Sequence, residues 1–298
     1  MILLAHLSDG VDKKRRMDWL SFFLYALGFV VLLVLTQDLH IFPGAVLSKI
    51  NFFGQRNKII PPEVESIFIR SLDGTSLEVW RYAPESETSV NNYVAVIFHG
   101  NGGPVENFLF VQMWLAELGI PSYSFDYRGF GRSSGWPSEK GIYKDSDAVW
   151  KYVVEREGVT PDQIVVVGIS VGSAPAARAA ALHHPKLLLL SSAFIDLRSA
   201  ARAQPVVGLL APFVWHRFPT KEYVQTLKQT HLLLAHGLKD NIVPPKHSEL
   251  LEEAYIGDGN VRRLEAKDSG HNLAFYALKD ELKESLREWL SLLPDREE

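Results

Sequence analysis

The stretch Ile164-Val-Val-Val-Gly168-Ile169-Ser170-Val171-Gly172, continued by Ser173-Ala-Pro-Ala-Ala-Arg-Ala-Ala-Ala-Leu182, decides the fold. Its β-branched run reads as a buried strand, and the alanine-rich run after Gly172 reads as a helix. Between them stands G-x-S-x-G, the pattern of a sharp elbow that lifts a serine hydroxyl above a sheet. Glycine at 168 and 172 removes Cβ atoms where neighbouring backbone must pass closely. The helix opening at Val171 aims its N–H groups and positive dipole end at an oxygen reacting there. A turn serine that merely starts a helix is the plain alternative, and the strand in front of it argues against that reading.

Working outward, residues 94–98, 187–190 and 232–235 are further continuous apolar runs, as expected of parallel strands covered on both faces. Residues 64–71 and 77–82, separated by Asp73-Gly74, read as an antiparallel hairpin. Helical patterns fall at 105–118, 142–157, 171–182, 247–255 and 273–292. Strand and helix alternate, so the expected class is α/β: a mostly parallel central sheet with an N-terminal hairpin and helices on both faces, over residues 63–298. Residues 194–229, with Pro205, Pro212, Phe213, Trp215, Phe218 and Pro219, are long for a connection. They predict a small apolar cap over the site, with an ordinary crossover helix and loops as the alternative.

The chain has 298 residues, 47% hydrophobic and 22% charged, which excludes a disordered or fibrous protein. Lys plus Arg number 31 against 35 Asp plus Glu, a net charge of −4 with no basic face, so nucleic acid is not an expected partner. Cysteine is absent, which removes disulfides, Cys-ligated zinc, thiol catalysis and palmitoylation. The histidines show no metal-ligand spacing, so no metal is expected. The glycine-rich turn after residue 98 lacks the Gly-Lys-Ser/Thr of a phosphate loop, and no cofactor is expected. Oligomeric state is left open.

Near the N-terminus, Lys13-Lys-Arg-Arg16 precedes an uncharged run, 19–35, which with Thr36 and Gln37 approaches the ~20 residues that span a bilayer. The charge asymmetry predicts a cytoplasmic tail (1–18), a single-pass membrane helix (19–37) and a linker (38–62) ending in Pro61-Pro62. The main domain would then be lumenal, periplasmic or extracellular. A removed signal peptide and a buried or interfacial helix stay open.

A serine hydroxyl needs a base, and the base needs an acid to hold its tautomer. Downstream stand Asp240, in His236-Gly-Leu-Lys-Asp240, and His271, in Gly270-His271-Asn272, giving the order Ser…Asp…His. Asp196 is a rival acid. Asp268 reads as a cap of the last helix, and His183, His184, His216, His231 and His247 as structural, with His236 shaping the loop of Asp240. Oxyanion donors are expected at the N–H of Val171 and, from the turn Phe98-His-Gly-Asn-Gly-Gly103, at Asn101, with Gly102 the close alternative. Gly102, Ile169 and the cap residues Phe213 and Trp215 are the candidate substrate-binding residues.

Phe98-His-Gly-Asn-Gly-Gly103, Phe125-Asp-Tyr-Arg-Gly-Phe-Gly-Arg-Ser133, Gly168-Ile-Ser-Val-Gly172, His236-Gly-Leu-Lys-Asp240 and Gly270-His271 together resemble the α/β-hydrolase superfamily. They look most like its membrane-anchored serine hydrolases of the monoacylglycerol lipase and lysophospholipase-like branch. That resemblance implies Ser170 as nucleophile, His271 as base, Asp240 as orienting acid, and Asp126 and Arg128 as braces of the active-site loops. It implies a lipid or small acyl-ester substrate and a membrane as partner. Ile169 departs from the His, Tyr or Arg that relatives often carry before the serine, and the missing cysteines disfavour the thioesterase branch. A peptidase or broad carboxylesterase of the same fold, or a non-catalytic binding protein, are the competing expectations.

Overall fold

In a computed structural model, the backbone is described for residues 2–50, 59–84, 92–205 and 207–291, with side chains from residue 19 onward except residue 207. Eight strands form one sheet: β1 Val64–Arg70, β2 Ser76–Tyr82, β3 Val94–Phe98, β4 Ser122–Phe125, β5 Ile164–Ile169, β6 Leu187–Ser191, β7 His231–Gly237 and β8 Val261–Ala266. Their spatial order is β1-β2-β4-β3-β5-β6-β7-β8. β2 runs antiparallel to both neighbours, and every pair from β4 to β8 is parallel. This is the mostly parallel sheet with a leading hairpin, and Gly74 at φ +85° makes the hairpin's turn.

Alternation along the strands builds two cores. Val94, Val96 and Phe98 of β3 pack with Ile142, Val149 and Val153 of the helix Glu139–Glu157 and with the alanines of the helix Ser173–His183. Ala95 and Ile97 face the other way, onto Val111 and Leu115 of the helix Leu109–Ala116 and Leu282 and Leu286 of Lys279–Leu290. The elements that carry the elbow are therefore clamped between two apolar layers, at roughly 1.5–3 kcal/mol per fully buried large side chain.

Two strands escaped the sequence reading. β4 has four residues, two of them serines, and β8 is an edge strand carrying Arg262, Arg263 and Glu265. Neither shows an apolar run. The pattern at 105–118 divides into a 3-10 turn, Val105–Phe108, and the helix Leu109–Ala116. That at 273–292 divides into Ala274–Ala277 and Lys279–Leu290.

The N-terminal region corrects an expectation. Among the described residues no helix is long and apolar enough to cross a membrane, so the single-pass anchor, and the sidedness built on it, is not supported. A helix runs Ile2–Leu35 and stops there. Its uncharged part from residue 19 is about 25 Å long at 1.5 Å per residue, short of the ~30 Å hydrocarbon core. Thr36 is a turn, and Gln37 belongs to a separate helix, Gln37–Ile41, tied to the folded domain: its amide donates to Phe213 O (3.3 Å) and accepts from Trp215 N (3.1 Å). Asp38 meets His216 Nε2 at 2.8 Å.

The expected linker is also structured. After the helix Pro43–Ile50, residues 51–58 lie outside the described residues. Phe42 and Ala45 are fully buried, Phe42 edge-on to His216 and Phe218. Ser48 Oγ accepts from Gly131 N at 3.0 Å.

Residues 194–229 fold into two short helices, Leu197–Arg202 and Thr220–Val224, around a 3-10 stretch, Val207–Phe213. None of their described side chains lines the cleft above Ser170, so the segment packs beside the site instead of roofing it. Its apolar residues are used elsewhere: Phe218 and Val224 join the core under the helix Ser173–His183.

Candidate active site

At the end of β5 the chain turns through Ser170 at φ +52°, a left-handed conformation that costs a non-glycine residue about 1–3 kcal/mol. The surroundings enforce it. A Cβ on Gly168 would lie 2.6 Å from that of Ala176, and one on Gly172 would strike the carbonyls of Phe98 and His99. Both glycines are required by close approach, as the sequence pattern implies.

The serine hydroxyl meets His271. Ser170 Oγ is 2.8 Å from His271 Nε2, and His271 Nδ1 is 2.6 Å from Asp240 Oδ2. Oδ1 of Asp240 accepts from the amides of Ile242 (2.9 Å) and Val243 (2.8 Å). Burial pushes the Asp240 carboxyl up, but hydrogen bonds from His236, His271 and the Val243 amide outweigh it and hold the group well below the ordinary carboxylate range. An ionised Asp240 requires the proton on His271 Nδ1, which leaves Nε2 free to accept from the serine.

Three loops reach this point by packing. A Cβ on Gly237 would lie 2.8 Å from Gly270 O, so the turns bearing Asp240 and His271 lie against each other. Ser192 Oγ, just beyond β6, donates to His271 O at 2.8 Å. His236 Nε2 lies 2.9 Å from Val243 O and 3.2 Å from Asp240 Oδ2. Since Val243 O can only accept, Nε2 carries the proton, and Nδ1 accepts from the Ser248 hydroxyl. His236 thus touches Asp240 directly, more than the loop-shaping role read from sequence. Ser192 gave no sequence signal.

The glycine-rich turn passes over the elbow. A Cβ on Gly100 would come 3.5 Å from that of Ser170. His99 Nδ1 donates to Gly100 O at 2.7 Å, turning that carbonyl aside, and Tyr127 donates to His99 O at 3.0 Å. Asn101 Nδ2 donates to Ile41 O, so the structured N-terminal segment holds this turn from outside. Asp126 Oδ1 accepts from Val105 N at 2.7 Å. Arg128 joins Asp145 (2.7 Å), Asp73 (2.9 Å) and Ser71 below it, which gives both residues the bracing positions that the resemblance implies.

A cleft of about 460 Å³ opens above the serine. Ser170, His271, Asn101, Gly102 and Ile169 line it; Asp240 is buried behind His271, and Val171 is buried beneath. Phe213 and Trp215 do not line it: they are 57% and 46% exposed on the segment beside it. Of the rival groups, Asp196 caps the helix Leu197–Arg202 through Ser199. Asp268 does not cap the last helix but pairs with Lys239 at 2.7 Å on the surface. His183 stacks on Trp150, while His231 and His247 accept from the amides of Asn260 and Ile195. Among the described residues no cluster of three or more His, Cys, Asp or Glu could hold a metal ion.

Known proteins agree with this architecture. The sequence profile of a family described as serine aminopeptidase, S33, matches residues 91–232. The chain is similar to YfhR of Escherichia coli K12, 29% identical over 251 residues that cover 81% of this chain and 84% of YfhR. It is similar to mouse alpha/beta hydrolase domain-containing protein 17C, 28% identical over 71% of this chain and 62% of that protein. Its fold is that of the Pyrococcus furiosus esterase Pf2001, with a TM-score of 0.62 over 78% of this chain and 94% of the esterase at 19% identity. Sheet order, elbow and relatives converge on a hydrolase with the α/β-hydrolase fold.

Proposed function

We propose that the protein is a serine hydrolase that cleaves acyl esters, acylglycerols or lysophospholipids among them, through an acyl-enzyme. One observation carries this reading: the unbroken hydrogen-bonded line from Ser170 Oγ through His271 to Asp240, on an elbow open to a cleft. His271 Nε2 takes the hydroxyl proton as Ser170 Oγ bonds to the ester carbonyl carbon. The carbonyl oxygen, now an anion, is held by the N–H groups of Val171 and Asn101. Collapse breaks the bond to the alcohol oxygen, which leaves with the proton from His271. Water then attacks the acyl-serine by the same route, and the carboxylic acid departs. Asp240 stays ionised throughout and stabilises the imidazolium.

A peptidase of the same fold is the second reading, favoured by the description of the matching profile. An aminopeptidase must pair the substrate's ammonium with a carboxylate, and among the described residues lining the cleft there is no Asp or Glu.

The test is labelling of the full chain with a fluorophosphonate probe, alongside turnover of a p-nitrophenyl ester. Ser170→Ala is expected to lose the label and about 10⁵–10⁶ of the rate while keeping its circular dichroism spectrum. A folded wild type that resists the probe, or a Ser170→Ala protein that still turns over ester, would overturn the assignment.

A further inference from the structure

Resting on that reading of the site and narrowing it to acylglycerols over lysophospholipids, we propose that the cleft selects acyl esters whose alcohol is uncharged, and discriminates against phosphorylated, carboxylated or ammonium-bearing ones. The argument is the chemistry of the walls. Phe108, Phe110, Ile169, Phe275, Pro43 and Ile242 make up the apolar lining, with Phe110 and Phe275 edge-on at 5.7 Å. The polar residues among the described lining are Asn101, Asn107, Asn272, Ser170, Ser191 and His271, and of these Asn107, Asn272 and Ser191 carry neutral amide or hydroxyl groups. Those groups donate and accept, so they satisfy hydroxyls and carbonyls but neutralise no ion.

Among the described lining residues, His271 alone is ionisable, and both its nitrogens are engaged. Asp240 cannot serve a cationic alcohol. It is only 6% exposed, and its oxygens already accept from His271, His236 and the amides of Ile242 and Val243. Nor does a cation wait for a phosphate. Arg198, Arg202, Arg217 and Lys221 surround a different depression, which shares no lining residue with the one above Ser170. An ionic head group entering here would shed water against aromatic rings and neutral amides with no counter-charge to replace it. A volume of about 460 Å³ is near the lower end for small-ligand sites, which suits a short or medium acyl chain with a small polyol.

The experiment holds the acyl chain constant and varies the charge: octanoyl glycerol, octanoyl glycerophosphate and octanoylcholine, with the full chain and with Asn272→Lys. Asn272 is exposed at the rim, so the lysine does not disturb packing. The wild type is expected to favour octanoyl glycerol in kcat/KM by about 10- to 100-fold over both charged esters. Asn272→Lys is expected to raise the glycerophosphate-to-glycerol ratio about tenfold and to lower the choline ester further. Equal or faster turnover of either charged ester by the wild type, or an unchanged ratio in the lysine variant, would overturn the proposal. Fluorophosphonate labelling of the same preparations separates the two readings. Label with no charge preference sinks only the selectivity; no label and no turnover sinks the serine hydrolase reading and this one with it.

Discussion

Gly44 stands where the helix Pro43–Ile50 crosses the glycine-rich turn. A Cβ added there would lie 2.7 Å from both Asn101 O and Phe130 Cε1, and 3.0 Å from Gly103 N. Carbon–oxygen contacts of this kind settle near 3.3–3.6 Å, so something must retreat by roughly 0.6–0.9 Å in Gly44→Ala. Phe130 cannot, being fully buried against Tyr127 and His99. The turn, open to the cleft on its far side, is the part that gives way. An oxyanion donor works only within about 2.7–3.1 Å of the developing charge, and its complete loss costs about 10²–10³ in kcat. Partial displacement of the proposed Asn101 donor is therefore expected to lower kcat about 10- to 100-fold. KM should stay within about twofold, since the donor acts mainly in the transition state. Overpacking adds a stability loss of about 1–3 kcal/mol. Steady-state kinetics on a p-nitrophenyl ester and a urea titration measure the two effects. Gly28→Ala, whose Cβ meets nothing within 4 Å, is the control. A Gly44→Ala enzyme with unchanged kcat would show that the N-terminal segment does not place the oxyanion donor.

Three further outcomes are expected. His236→Phe removes one donor from the Asp240 carboxylate; a hydrogen bond to a charged group is worth about 1.5–3 kcal/mol, so kcat/KM should fall at least about tenfold, and wild-type kinetics would discard His236 as a positioning residue. Arg128→Met leaves the fully buried Asp145 without its guanidinium, and a loss of about 3–5 kcal/mol is expected in urea unfolding; a loss below about 1 kcal/mol would contradict the bracing role. Asp240 is ionised more easily folded than unfolded, so its contribution is complete above the unfolded pKa, about 3.9, and is lost as pH falls through the lower folded value. The stability gap between wild type and Asp240→Asn should therefore shrink below about pH 4, and a gap independent of pH would refute the hydrogen-bond account.

How much of this was legible in the chain follows from where the information lies. Buried parallel strands need continuous apolar side chains, so β3, β5, β6 and β7 announce themselves. The short β4 and the charged edge strand β8 owe their structure to the neighbours they pair with, which no local pattern records. Ser170, Asp240 and His271 were legible because the elbow and the strand-end loops constrain residue type at fixed places. Ser192 was not, since a serine holding a backbone carbonyl looks like any loop serine. The errors share a cause. An apolar run at the N-terminus and an aromatic-rich insertion were both assigned by composition to a destination, a bilayer and a roof over the cleft. Composition measures how much surface seeks cover, not which surface covers it. Phe42, with only eight helical residues behind it, carried too little periodicity to reveal that the supposed linker docks on the active-site turn.

The docking of residues 37–50 bears on how the protein should be handled. Anyone wishing to shed the apolar helix would naturally trim the chain to begin near Ile59, just ahead of the first strand. Such a fragment would bare the ring of Phe130 and strip Asn101 of its outer support while leaving serine, histidine and aspartate in register. It would be a well-folded, feeble catalyst, and its weakness would be blamed on the wrong residues.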